Sequence, residues 1–174
     1  MELKQMYTHL ATYNRWANNR LYQACALLDT AAYYQNRSAF FGSIHGTLNH
    51  ILLADRIWMA RFTGKVYPFN ALSDELYDAL PSLQHARQAE DDRILAFVQT
   101  LAVEAIVTDI SYANSQDIPY QQPLWQGLTH FFNHQTHHRG QVHQMLGEAN
   151  LTPPGLDMVM MFRETTSLPA SPST

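Results

Sequence analysis

The stretch MYTHLATYNRWANNRLYQACALL, residues 6–28, carries an apolar side chain at every third or fourth position. The repeating residues are Met6, Leu10, Tyr13, Ala17, Leu21, Ala24 and Leu28. Because an α-helix completes one turn in about 3.6 residues, this spacing places them all on one face. The pattern predicts an amphipathic helix from about residue 3 to about 29, with an apolar face that needs partner helices.

Three further segments show the same helical period. FFGSIHGTLNHILLADRIWMARFTG predicts a second helix over 42–62, with Ser43 as its N-cap and Gly64 after its end. LSDELYDAL and SLQHARQAEDDRILAFVQTL predict a third helix, in which Pro81 either occupies a first turn or kinks one long helix. A fourth helix is predicted over 123–148, and LDMVMMFRETT predicts a short one after it.

The segment between the third and fourth helices, IVTDISYANSQDIPYQQP, mixes β-branched residues with Asn-Ser and Pro. It predicts either a short hairpin or an extended crossover. Four long amphipathic helices predict an all-α fold, a four-helix bundle with its longer crossover between helices three and four. We expect a single domain over residues 1–166 and a frayed C-terminal tail over 167–174.

The composition restricts the classes of function. The 174 residues are 46% hydrophobic with a formal net charge of −4, and no run of Lys or Arg indicates a nucleic-acid or membrane surface. The N-terminus lacks the apolar core of a signal peptide, and no apolar stretch approaches membrane-spanning length. Cys25, the single cysteine, cannot form an intramolecular disulfide and predicts a packed thiol. We therefore expect a cytoplasmic protein, in a reducing compartment.

The stretch NHQTHHRGQVHQ, residues 133–144, contains four histidines. On a helical wheel, His134 and His138 lie one turn apart at the edge of the apolar stripe, so both imidazoles can reach one ion. His130 and His134 form a second pair of the same kind. His137 lies further toward solvent, and His143 faces away from this arc.

A third ligand is expected from the second helix. His50 and His45 lie about 140° apart on that helix, so they cannot both face one ion. We favour His50, which shares its face with Ile57, over His45 at the Gly-flanked helix start. Spacing alone leaves open that no metal binds and that the histidines line a pH-sensitive groove. The histidine arc lacks carboxylates, so a ferritin-like di-iron site is not supported.

Two segments carry a family resemblance: GTLNHILLADRIWMARF, residues 46–62, and FNHQTHHRGQVHQML, residues 132–146. Together they resemble the DinB/YfiT-like family of metal-dependent enzymes. YTHLATYNRWANNRLY and ARQAEDDRILAF are similar to the family's first and third helices, so the resemblance covers nearly the whole chain. It implies a four-helix bundle, often dimeric, in which His50, His134 and His138 bind zinc, nickel or another divalent ion.

Characterised members of the family use low-molecular-weight thiols, as thiol S-transferases or as a thiol-dependent maleylpyruvate isomerase. The resemblance therefore implies a divalent-metal-dependent enzyme, most concretely a thiol S-transferase with a thiol cosubstrate and a small-molecule substrate. Three neutral imidazoles leave an open coordination position, as in catalytic rather than structural sites. Two alternatives remain open, a non-catalytic metal-binding bundle of the stress response and a metal-dependent hydrolase.

Several neighbouring residues have expected supporting roles. Gln141 lies on the ligand face and is expected to orient His138 or a bound solvent. His130 is expected in the second layer of the site or its pocket, and Trp58 in the core. Gly140, within a helix where glycine costs about 1 kcal/mol relative to alanine, is expected to permit a close helix approach.

Two charged pairs are also predicted. Arg139 and Asp55 either pair with each other or serve packing and solubility. Arg87 and Asp91, spaced i, i+4, predict a helix ion pair worth about 0.2–0.5 kcal/mol and no catalytic role.

Overall fold

The computed structural model of the protein describes residues 2–165. The end of the expected domain at 166 and the expected tail over 167–174 lie outside the described residues. The elements in chain order are α1 (Leu3–Cys25), α2 (Thr30–Tyr34), α3 (Ile44–Phe62), α4 (Leu80–Thr100), α5 (Val103–Ile106), β1 (Asp109–Ala113), β2 (Pro119–Pro123), α6 (Leu124–Glu148) and α7 (Met158–Thr165).

The four long helices α1, α3, α4 and α6 pack together as a bundle. Helix α1 contacts α4 and α6, and α3 contacts the same two helices. The two larger apolar clusters of the interior lie around Leu21, Leu52 and Leu146 and around Met59, Ile94 and Phe131. The predicted four-helix bundle is therefore confirmed.

The crossover between α4 and α6 contains the hairpin that was one of its two predicted forms. Strands β1 and β2 pair antiparallel, with Ile110 opposite Gln122 and Tyr112 opposite Tyr120. Strand β1 also contacts α3. The hairpin therefore lies against the helix that carries His50.

The first helix ends earlier than predicted, at Cys25 rather than about residue 29. The side chain of Asp29 accepts a hydrogen bond from the backbone N–H of Ala32 and caps the short helix α2, which was not predicted. Cys25 is buried as expected, and burial raises the pKa of its thiol to about 12.

The prediction that LSDELYDAL is helical is wrong, since α4 begins only at Leu80. The side-chain oxygen of Asn49, in α3, accepts hydrogen bonds from the backbone N–H groups of Leu76 and Tyr77. Its amide nitrogen donates to the carbonyl of Tyr77. These bonds satisfy the backbone without a helix, so tertiary contacts override the local propensity. Pro81 occupies the first turn of α4, one of the two predicted alternatives.

The short helix predicted from LDMVMMFRETT is present as α7. Across residues 2–165, every helix is too short or too polar to cross a lipid bilayer.

Candidate metal centre

Three imidazoles from two facing helices meet on one side of the bundle. His50 comes from α3, and His134 and His138 come from successive turns of α6. Each contributes one ring nitrogen to a group whose members all lie within 4.8 Å of one another. The Nε2 atoms of His50 and His134 are 3.2 Å apart. We call these three residues the imidazole cluster; they are the three expected from the sequence.

The outer nitrogens of two of these rings are held by hydrogen bonds. Nδ1–H of His50 donates to the carbonyl of Leu72 at 2.8 Å. Nδ1–H of His138 donates to Oε1 of Gln141 at 2.7 Å, the contact expected for Gln141. A neutral imidazole protonated on Nδ1 presents its lone pair on Nε2. Both rings are therefore fixed in the tautomer that a metal ligand needs.

Burial keeps the cluster uncharged. It lowers the pKa of His50 to about 4 and that of His134 to about 3, where the neighbouring histidines add a further lowering. Burial also lowers the pKa of His138, against the hydrogen bond to Gln141. The three rings are thus neutral at neutral pH, the form that coordinates a metal.

The donor set fits a divalent ion. Two nitrogens about 2.0–2.1 Å from one tetrahedral ion stand about 3.3 Å apart, close to the separation found between His50 and His134. Among residues 2–165, the group contains imidazoles and no carboxylate or thiolate. The cluster could therefore hold a metal ion with an open coordination position.

An aromatic ring from the loop before α3 covers the cluster. Phe41 stacks on His50 with 3.7 Å between ring centroids and meets His138 edge-on at 5.6 Å. The loop sits close to α3, since a Cβ on Gly46 would lie 2.2 Å from the carbonyl oxygen of Phe41. Sequence reasoning missed both Phe41 and the Leu72 carbonyl. The only signal for Phe41 was an aromatic pair just before the N-cap Ser43.

His45 lies outside the cluster, as the preference for His50 requires. It is buried, with Nδ1 3.1 Å from the hydroxyl of Tyr33 and Nε2 3.2 Å from the amide nitrogen of Asn49. Through these contacts, His45 helps to pack α2 against α3.

The remaining histidines of the arc have separate surroundings. His130 packs between Trp58 and His134, with ring centroids at 5.0 and 5.7 Å, so it borders the cluster as expected. Trp58 is only partly buried and contacts this pocket residue as well as the core. His137 is exposed and accepts a hydrogen bond from Gln141 at 3.3 Å.

A second group of polar side chains is buried deeper in the bundle, on α3 and α6 and on the other two long helices, α1 and α4. Its members are buried polar residues from all four long helices, and we call them the inner polar network: Asn14, Asn18, Asp55, Arg87, Asp91, Gln135 and Arg139. Arg87 forms ion pairs with Asp55 and Asp91. Gln135 donates to Asp55, and Arg139 donates to Asn14 and to Gln135. The predicted Arg87–Asp91 pair thus exists, and it lies in the interior of the bundle.

Arg139 and Asp55 do not form a direct ion pair; Gln135 bridges them. Burial raises the pKa of Asp55 to about 7, against the lowering effect of Arg87. Burial alone would lower the pKa of Arg87, but Asp91 and Asp55 together raise it. Two arginines and two aspartates therefore lie together away from solvent.

The close helix approach is not at Gly140, where an added Cβ would meet nothing within 4 Å. It is at Gly127, where a Cβ would lie 2.8 Å from a ring carbon of Phe62. The expectation for Gly140 is therefore wrong, and Gly127 is the position where α6 approaches α3.

Comparison with known proteins places the chain among helical relatives. The family model described as the DinB family matches residues 1–168. Protein DinB of Bacillus subtilis (strain 168) is 28% identical over 151 residues, covering 80% of this chain and 84% of that protein. The crystal structure of a DinB-like protein from Bacillus cereus ATCC 10987 matches with a TM-score of 0.59 and 17% identity, covering 80% of this chain and 90% of that one. The structural match shows the shared fold.

Proposed function

The chain belongs to the DinB family, and from this premise we propose that it is a divalent-metal-dependent enzyme with His50, His134 and His138 as its metal ligands. The observation that carries the proposal is the convergence of three neutral imidazoles with ring nitrogens within 4.8 Å. Zinc or nickel is the proposed ion, because imidazole donors suit both.

The residues around the cluster have distinct proposed tasks. A bound divalent ion would supply Lewis acidity, which lowers the pKa of a thiol or water at its open position. Leu72 and Gln141 hold the rings of His50 and His138 in the ligating tautomer. Phe41 covers one side of the cluster and limits the access of water to it.

We propose that the reaction transfers a low-molecular-weight thiol to a small-molecule electrophile. The thiol sulfur forms a bond to carbon, the leaving group departs with its bonding electrons, and the thiol proton passes to solvent. Support comes from Cys25, whose buried thiol has a pKa raised to about 12 and is unsuited as a nucleophile. A thiol nucleophile then has to come from outside the chain, because Cys25 is its single cysteine.

Cobalt substitution tests this proposal directly. Addition of glutathione or cysteine to the cobalt protein should produce a sulfur-to-cobalt charge-transfer band, absent in His138→Ala and retained in the exposed control His137→Ala. The same thiols should then react with chlorodinitrobenzene faster with wild type than with His138→Ala. Cobalt binding without any thiol effect would contradict the transferase and leave a metal-binding bundle. Metal-dependent cleavage of nitrophenyl acetate alone would favour the hydrolase.

We also propose a homodimer in the cytoplasm. The family resemblance supports the dimer, and a single buried thiol suits a reducing compartment. Sedimentation equilibrium should give twice the mass of one chain, whereas a monomer at all concentrations would contradict the dimer.

A further inference from the structure

A cleft of about 440 Å³ lies between the C-terminal half of α3, the loop that follows it and the β1–β2 hairpin. Its floor includes Ile57 and Arg61, one wall is the segment 64–70, and the other wall includes Tyr112 and Asn114. This volume is within the usual range for small-molecule sites, about 300–1,000 Å³.

The cleft and the imidazole cluster share two structural elements. Ile57 lies two helical turns after His50, on the same face of α3. The loop that forms one wall of the cleft continues to Leu72, whose carbonyl holds His50. The cleft and the imidazole cluster therefore lie along the same helix, α3, and are bordered by the same loop.

A chain of ring contacts also connects them. Trp58, which lies under the guanidinium of Arg61, packs at 5.0 Å from His130, and His130 packs at 5.7 Å from His134. Two rings thus separate Arg61 from a member of the imidazole cluster.

Arg61 is the charged group on the floor of this cleft. Its guanidinium carbon lies 4.8 Å from the ring centroid of Trp58 and 4.9 Å from that of Tyr112. Within residues 2–165, no carboxylate is within ion-pair distance of Arg61 and no acceptor takes a hydrogen bond from it. Arg56, which lies earlier on α3, by contrast forms an ion pair with Glu90 and donates a hydrogen bond to the hydroxyl of Tyr77. Aromatic contacts hold the guanidinium by its faces and leave its N–H edge for a ligand.

The surroundings favour an anion at that edge. Partial burial lowers the pKa of Arg61, and within residues 2–165 no carboxylate pairs with this cation to offset the effect. Lys65 also lines the cleft and adds a second cation, while Asp117 is the one lining residue with a carboxylate. A guanidinium fork matches a carboxylate with two parallel hydrogen bonds.

We propose that Arg61 binds the carboxylate of the thiol whose sulfur reaches the imidazole cluster, so that the thiol substrate is an elongated carboxylic acid. This inference rests on the proposed thiol transferase. Arg61 is eleven residues after His50, about 16 Å along the helix axis. Helical side chains lean toward the N-terminus, which brings the guanidinium nearer to the cluster. The ligand therefore needs a spacer between its sulfur and its carboxylate.

A homologous series of thiols tests the spacing. The cobalt-substituted protein is titrated with ω-mercapto carboxylic acids from mercaptopropionate to mercaptoundecanoate, each beside the mercapto alcohol of the same length. For the shortest thiols, the acid and the alcohol of the same length should bind with equal affinity. At an intermediate length the carboxylate should bind about 10-fold more tightly than its alcohol, because only the carboxylate accepts charge-assisted hydrogen bonds from Arg61.

Variants identify the residue responsible. Arg61→Gln should abolish the preference for the carboxylate and leave the cobalt band of mercaptopropionate unchanged. The control Arg15→Gln, on the exposed face of α1, should keep the preference. Equal affinity of acid and alcohol at every length, or a preference that survives in Arg61→Gln, would overturn the proposal while leaving the thiol transferase intact.

A thiol-free measurement separates the two proposals. If thiols leave the cobalt spectrum unchanged, the proposed transferase fails. Calorimetric titration with octanoate and octanol then still tests the carboxylate site. Octanoate should bind wild type more tightly than octanol and lose that advantage in Arg61→Gln; no advantage in wild type would overturn the proposal.

Discussion

Neighbouring residues of α6 belong to two different polar environments. His134 and His138 join the imidazole cluster, whereas Gln135 and Arg139, the next residue in each case, join the inner polar network. Successive residues of a helix point about 100° apart, so one helix presents both sets. Helix α3 does the same with His50 and Asp55.

The two environments differ in how their polar groups are satisfied. The network is enclosed by four helices and contains the ion pairs of Arg87 with Asp55 and Asp91. Within residues 2–165, Oδ1 of Asp55 and Nε of Arg139 are buried without a hydrogen-bond partner. The cluster is neutral, and the outer nitrogens of His50 and His138 are held by hydrogen bonds, so the inner lone pairs of these two rings are available. Arg87 pairs with both aspartates of the network, and the cluster is an all-imidazole donor set. An ion bound there would keep its full charge.

The largest expected effect comes from breaking the network at Arg87. Arg87→Met would leave Asp55 and Asp91 buried without their cation, and should lower the free energy of unfolding by about 3–5 kcal/mol. Urea denaturation measures this loss. Arg93→Met, which removes a half-exposed partner of Glu90, should cost less than about 1 kcal/mol. Equal losses in the two variants would remove the distinction between the network and an ordinary surface pair.

The cluster should respond through metal affinity rather than folding. Gln141→Ala removes the acceptor that orients His138, and should weaken zinc binding about 10- to 100-fold, measured by competition with a chelator. The free energy of unfolding of the metal-free protein should change little. Gln144→Ala, which removes an exposed contact to Glu148, serves as the matched control. Unchanged zinc affinity in Gln141→Ala would show that its hydrogen bond does not position the ring.

Two glycine variants test the cover of the cluster. In Gly46→Ala the new Cβ would lie 2.2 Å from the Phe41 carbonyl, so the covering loop must shift, at a cost of about 1–3 kcal/mol. The matched variant Gly140→Ala has open space and should stabilise the protein by about 0.5–1 kcal/mol. Thermal unfolding measures both, and a stabilised Gly46→Ala would contradict the close loop contact.

The smallest expected effect is that of pH on metal affinity. Protons compete for a ligand only once the pH falls through the pKa of the metal-free ring. Burial lowers the pKa of His50 to about 4, that of His134 to about 3 and that of His138 below its ordinary value, so the loss of zinc affinity in acid should begin at a lower pH than ordinary imidazoles would give. Chelator competition at stepped pH measures this profile. A steep loss beginning near pH 6.5 would indicate imidazoles with ordinary pKa values.

Helical periodicity was sufficient to predict the bundle and to favour the three histidines. The fourth helix was predicted over 123–148 and is found at Leu124–Glu148. An i, i+4 pair has the same geometry in any regular helix, so His134 and His138 could be placed without knowing the tertiary structure.

The contacts made by loops could not be predicted in this way. Phe41 and the Leu72 carbonyl reach the cluster from irregular segments, whose paths depend on the hydrogen bonds of Asn49 to residues 76–77. The inner polar network did leave a signal, because Asn14 and Asn18 lie four residues apart beside the apolar stripe of α1. Their burial, and the partner arginine from α6, follow only from the packing of the helices.

Metal content tests the central claim most directly. Untagged, dialysed wild type, His134→Ala and His137→Ala would be reconstituted with zinc or nickel and analysed by plasma mass spectrometry. The account predicts about one divalent ion per chain in wild type and in His137→Ala, and its loss in His134→Ala. No ion in wild type, or equal retention in all three proteins, would contradict a metal centre at the imidazole cluster.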